Sequence, residues 1–131
     1  MSLATQIALV VIGSACGGLA RWVVGLTAGQ FFPSVFPWAT FAVNIVGSFI
    51  LGWLLTAITA PAEHLWGGLS PEAWRLAIGV GFCGAFTTFS TFEHDTNQLF
   101  TQGESWLAVL YVGSSFTLGL LALRAGVWVA R

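Results

Sequence analysis

Four apolar segments, at about residues 3–26, 38–58, 73–92 and 106–129, leave this chain little room for anything else. A helix needs about 20 predominantly apolar residues to cross the roughly 30 Å hydrocarbon core of a bilayer. Each segment is long enough, and the connections between them are short. Only 7% of the 131 residues are charged, against roughly 25% in a soluble domain, and mean hydropathy is +0.86. The expected fold is an all-α membrane protein: four transmembrane helices forming one domain over residues 1–131.

This composition excludes several classes of function. No length remains for a soluble enzyme domain, and no nucleophile–base pair or phosphate-cradling loop is present. The net charge is −1, so there is no basic footprint for nucleic acid, and the expected surroundings are lipid. Cys16 and Cys83 fall inside predicted spans, where they read as small packing residues rather than as a disulfide framework or a metal cluster. Met1 to Gly18 lacks the basic start of a signal peptide and reads as part of a retained first span.

One stretch departs from ordinary lipid-facing sequence. Gly79 to Phe92 reads GVGFCGAFTTFSTF. Gly79, Gly81 and Gly84 let backbones approach closely or leave helical geometry. Phe86, Thr87-Thr88, Phe89, Ser90-Thr91 and Phe92 then alternate aromatic rings with hydroxyls, which donate and accept hydrogen bonds at membrane depth. Irregular backbone survives at that depth only if buried in protein or lining a watery path. The stretch therefore reads as the wall of a pore or site, with tight helix packing through small residues as the plainer alternative.

The rest of the chain frames it. Span one carries Gly13 and Gly17, a G-x-x-x-G packing face. Arg21 follows, either snorkelling to the interface or attracting an anion at a pore mouth. Trp38 anchors span two, which holds Asn44 about two turns inside; a buried amide must be hydrogen-bonded, as helix–helix glue or as a donor to a passing ion. Gly47-Ser48 and Gly52 add a second small-residue face. His64, in the Thr59–Pro71 connection, reads as solvated. Trp74 and Arg75 anchor span three, and Glu93-His94-Asp95 reads as its wet end. Span four offers a polar track at Tyr111, Ser114 and Ser115 beside that of span three.

Lys and Arg in short loops set membrane orientation. Arg75, Arg124 and Arg131 fall on one side and Arg21 on the other, with no Lys anywhere. So thin a bias allows insertion in both orientations.

Gly17-Gly18 through Arg21-Trp22, Thr40 through Gly47 with Asn44, and Gly81-Phe82-Cys83-Gly84 running into Thr87-Thr88-Phe89-Ser90-Thr91-Phe92 resemble the Fluc (CrcB) fluoride channels of bacteria. The resemblance covers nearly the whole chain, and its T-T-F-S-T-F run is specific. It implies a fluoride-selective channel for passive export across the bacterial inner membrane. It also implies an antiparallel, dual-topology homodimer with two pores, whose third helix is broken mid-membrane. By the same resemblance Phe89 and Phe92 match the pore aromatics, with Thr88, Ser90 and Thr91 beside them. Asn44 matches the pore-facing amide and Arg21 the vestibule arginine. Gly84 and Thr87 match the break whose backbone carbonyls hold a central, structural Na⁺. Tyr111, Ser114 and Ser115 match the polar track.

Two rivals come from other classes. A small four-span proton-coupled drug or cation exporter wants a carboxylate inside the membrane, and every Asp and Glu here is expected in a loop or at a span end. A purely structural assembly factor has no use for Asn44 and the Thr/Ser tracks.

Overall fold

The computed structural model of the chain describes residues 1–32, 34–59 and 68–131; Glu63 and His64 lie outside the described residues. Every regular element among them is helical. Helix α1, Leu3–Phe31, starts at Ser2, whose side chain accepts from the Thr5 backbone N–H. Helix α2, Trp38–Ala57, follows the Pro37 corner. The third span opens with α3, Pro71–Trp74, where Ser70 caps the Ala73 N–H and Pro71 takes the first turn, which needs no donor. It continues as a π-helical segment, Arg75–Cys83, and a last α-helical turn, α4, Gly84–Phe86. Helix α5, Phe89–Thr101, and helix α6, Ser105–Val129, complete the chain.

Among the described residues four stretches are long and apolar enough to cross a membrane: Leu3–Phe31, Trp38–Ala57, Pro71–Thr101 and Ser105–Val129. The chain is a multi-pass membrane protein. Large apolar side chains such as Ile12, Leu19 and Leu120 face outward, as lipid as solvent permits.

Small residues bring the helices to backbone contact. Gly13 and Gly17 are buried. A Cβ on Gly13 would overlap the Ala77 carbonyl, and one on Gly17 the Phe82 carbonyl, so the G-x-x-x-G face of α1 lies on the π segment. There the Ser14 hydroxyl donates to Gly81 O at 3.4 Å. Helices α2 and α6 pair in the same way, Gly52 against the Leu123 carbonyl and Gly126 against that of Phe49.

The third span differs from its sequence reading in two ways. A π-helix carries more residues per turn than an α-helix and is rare beyond a single turn; nothing in apolar spacing announces one. The helical backbone also runs past Phe92 to Thr101. Glu93, His94 and Asp95 lie inside α5, which corrects the reading of them as the helix's wet end. Polarity alone does not end a helix that is packed and capped. Phe92 and Leu99 are buried against Ala108 and Tyr111 of α6. At its far end Gly103 takes φ +82°, the Glu104 N–H donates to Leu99 O at 2.9 Å and the Gly103 N–H to Phe100 O at 3.1 Å. This is a Schellman closure, and it turns the chain directly into α6.

Candidate functional site

Between α4 and α5 the backbone leaves helical geometry for two residues. Thr87 has φ −83°, ψ 160° and Thr88 has φ −152°, ψ 122°. Gly84 itself is regular helix, φ −61°, ψ −34°. The interruption is held by the amide of Asn44 on α2. The Thr88 N–H donates to Asn44 Oδ1 at 2.8 Å, and Asn44 Nδ2 donates to Thr88 O at 3.1 Å. Thr88 also caps α5: its hydroxyl accepts from the Thr91 N–H at 3.3 Å and lies 3.0 Å from the Thr91 hydroxyl. Gly47 makes room for the crossing, since a Cβ there would overlap Thr87 Cγ2.

These bonds redirect the donors that a continuous helix would use. In an α-helix the N–H of residue 88 donates to the carbonyl of residue 84, and that of 91 to the carbonyl of 87. Here the Thr88 N–H is directed to Asn44 and the Thr91 N–H to the Thr88 hydroxyl. Gly84 O and Thr87 O thereby lose their helical donors. The Cys83 carbonyl is served twice, by the Thr87 N–H at 3.0 Å and the Thr87 hydroxyl at 2.9 Å.

A cavity of about 400 Å³ opens beside this crossing. Its polar wall is Asn44, Ser48, Thr87, Thr88 and Ser115, its aromatic wall Phe89, Phe92 and Phe116, and Gly84 lies at its edge. Among the described residues, none that lines it is charged. The Phe89 and Phe92 rings are 5.9 Å apart and tilted by 32°. Phe92 is buried against Tyr111, 5.1 Å away, whereas Phe89 is 65% exposed. Hydroxyl- and amide-bearing side chains thus share this cavity with aromatic rings, whose edges carry partial positive charge. Such a wall suits a small anion stripped of water.

A profile of the family described as "CrcB-like protein, Camphor Resistance (CrcB)" matches residues 8–127. The chain belongs to the CrcB family. It is similar to an Acidobacterium capsulatum protein named "Fluoride-specific ion channel FluC", 47% identical over 122 residues and 93% of each chain. A Chlorobaculum tepidum protein of the same name is 42% identical over 126 residues, 96% of this chain and 94% of that one. A Bacillus cereus protein named "Fluoride-specific ion channel FluC 1" is 42% identical over 122 residues, 90% and 82%.

In this CrcB-family chain the residues expected at the site divide into two groups. Asn44, Gly84, Thr87, Thr88, Phe89, Phe92 and Ser115 meet at the cavity. Arg21, Ser90, Thr91, Tyr111 and Ser114 do not line it. Arg21 is half-buried on α1, and Ser90 and Thr91 are exposed on the first turn of α5. Ser114 donates back to Tyr111 O at 3.3 Å. Tyr111 is fully buried among Phe36, Phe41 and Phe92. Its hydroxyl lies near Thr40 and Asp95 but has no partner of ordinary hydrogen-bond geometry among the described residues.

Sequence reasoning missed one polar contact. Thr40 Oγ1 on α2 donates to Asp95 Oδ2 at 2.6 Å. Asp95 is therefore neither in a loop nor at a helix end, which corrects that expectation. The signal was available: Phe92, Asp95 and Leu99 are spaced three and four apart, one face of a helix.

Proposed function

We propose that the chain is a fluoride-selective channel that lets fluoride leave the cell passively across the bacterial inner membrane. The family's relatives are named fluoride-specific ion channels, and none of the three named above is described as an enzyme. The observation that carries the reading is the uncharged cavity in which the Asn44–Thr88 clamp faces the Phe89 and Phe92 rings. Fluoride is small and strongly hydrated, so its water must be replaced at each step. Asn44 Nδ2 has two hydrogens; one goes to Thr88 O, and the other is free to turn to the cavity. The Ser115 hydroxyl, without a partner among the described residues, supplies a further donor, the ring edges supply a positive rim, and low dielectric strengthens each contact. With no charged side chain among the described lining residues, fluoride is not held too tightly to leave.

The same reading includes an antiparallel, dual-topology homodimer. The cavity is bounded on one side by this chain, and Phe89 stands exposed at its edge. Helix α5, about 20 Å long, also turns Glu93, His94, Asn97 and Gln98 outward. With the Thr87–Thr88 interruption near mid-membrane, lipid is a costly neighbour for that face; a second copy and a water-filled vestibule are not. Arg21 belongs to such a vestibule.

A central Na⁺ fits the residues present. Gly84 O and Thr87 O lack their helical donors, and hard monovalent cations take oxygen ligands such as backbone carbonyls. Those two carbonyls would hold the ion with their counterparts from a second copy. When bound, it supplies positive charge that satisfies the freed carbonyls and ties the subunits together.

Glu93 and Asp95, the carboxylates inside α5, are those on which a proton-coupled exporter would have to rely. Anion efflux from liposomes, followed with a fluoride electrode, separates the readings. A channel runs down the fluoride gradient with no proton gradient imposed. An exporter coupled through Asp95 depends on pH and fails in Asp95→Asn.

A further inference from the structure

Phe116, on α6, is the aromatic of this cavity that neither the T-T-F-S-T-F run nor the polar track includes. Its ring centroid lies 6.1 Å from that of Phe92, with the planes at 84°. It lines the cavity and is 65% exposed, as Phe89 is. The other outward apolar residues of α6, among them Val109, Leu110 and Leu120 and the terminal Trp106 and Trp128, do not line the cavity. Phe116 is therefore set apart from the lipid-facing side chains of its own helix.

We propose that Phe116 is a positioning residue for anion selectivity, fixing the orientation in which Phe92 meets the permeating ion. This rests on the fluoride-channel reading. A ring attracts an anion through its rim and repels it through its face, so a pore aromatic is useful only while its orientation is held. Phe92 sits between two tilted neighbours, Phe89 at 32° and Tyr111 at 42°. Neither tilt is perpendicular. The near-perpendicular contact with Phe116 is the one in which a positive rim meets a negative face, and turning the Phe92 ring about its axis breaks that pairing. Phe116 and Phe92 both line the cavity, so the pairing is made at its wall.

The test compares Phe116→Leu and Phe116→Tyr with the parent in liposomes, reading fluoride efflux and fluoride-over-chloride selectivity. Monodisperse, thermally stable protein is the entry condition for each. The Leu variant is expected to lose roughly two- to tenfold in fluoride efflux and to narrow the selectivity ratio. The Tyr variant, which keeps the ring, is expected to stay near the parent. Should the Leu variant fail to fold, Phe116→Met is read in its place. Parent-level efflux and selectivity in Leu or Met overturns the proposal. Equal losses in Leu and Tyr also overturn it, because the ring would then not be what matters. A parent that passes no fluoride overturns the channel reading itself, and is seen before any variant is compared.

Discussion

Asn44 and Thr88 exchange two hydrogen bonds, amide to backbone in both directions, at 2.8 and 3.1 Å. Side chain thus replaces helix at the point where helical bonding lapses. A buried polar group left unpaired costs about 1–3 kcal/mol, and Asn44→Ala strands two. The subunit is expected to lose about 3 kcal/mol and most of its fluoride efflux. Asn44→Asp keeps the acceptor for the Thr88 N–H but loses the donor, so it should melt between the two and conduct no better than Ala. Thermal melts in detergent and efflux in liposomes check both.

Phe89 and Phe92 differ in burial, and that difference separates structure from conduction. Phe92 is 8% exposed and packed on Tyr111, while Phe89 is 65% exposed. Phe→Ile keeps the position apolar but removes the ring edge. Phe92→Ile is expected to cost about 1–2 kcal/mol of stability, and Phe89→Ile close to nothing. Both are expected to lose most fluoride efflux. Well-folded Ile variants that conduct at the parent's rate would remove both rings from the pathway.

At Gly84 an added Cβ meets nothing within 4 Å in the subunit, and the backbone there is helical. Gly84→Ala should therefore leave the subunit fold intact. A loss of dimer must then come from a second copy or an ion at that point, whereas a loss of flux alone points to the cavity that Gly84 lines. The expected result is a smaller dimer fraction by crosslinking in lipid, reduced efflux and a weaker dependence on Na⁺. Unchanged dimerisation and flux would take Gly84 out of the interface.

Gly47 and Thr87 form a steric pair. A Cβ on Gly47 would overlap Thr87 Cγ2, a methyl that serine lacks. Gly47→Ala is expected to cost about 1–3 kcal/mol by overpacking, and adding Thr87→Ser should recover most of it. Thr87→Ser also keeps the hydroxyl that donates to Cys83 O. Melting temperatures of the two single variants and the double variant give the coupling directly.

Much of this was legible in the sequence. Segment length and apolarity foretold four helices apolar enough to cross a membrane, and Gly13 with Gly17 marked the packing face of α1. The unusual Gly79–Phe92 stretch marked the candidate site, and Asn44 was singled out because a buried amide needs partners; its two hydrogen bonds to Thr88 make it glue and cavity wall together. What stayed hidden depends on backbone geometry and on contacts between distant segments. No side-chain pattern encodes the π segment at Arg75–Cys83. Gly84 drew attention to the interruption as the permissive residue, but the extended residues are Thr87 and Thr88, which Asn44 and the Thr88 hydroxyl stabilise without glycine. Asp95 was misplaced because acidic residues after an apolar run look like an exit. Only the pairing with Thr40, 55 positions earlier, gives it a place against α2.

Fluoride efflux from liposomes holding the purified protein tests the central claim most directly. The internal solution carries fluoride and chloride, a potassium ionophore balances charge, and separate electrodes read each anion with no pH gradient. The account predicts rapid fluoride release with chloride retained. Release no faster than from protein-free liposomes, or release only under an imposed proton gradient, would contradict it.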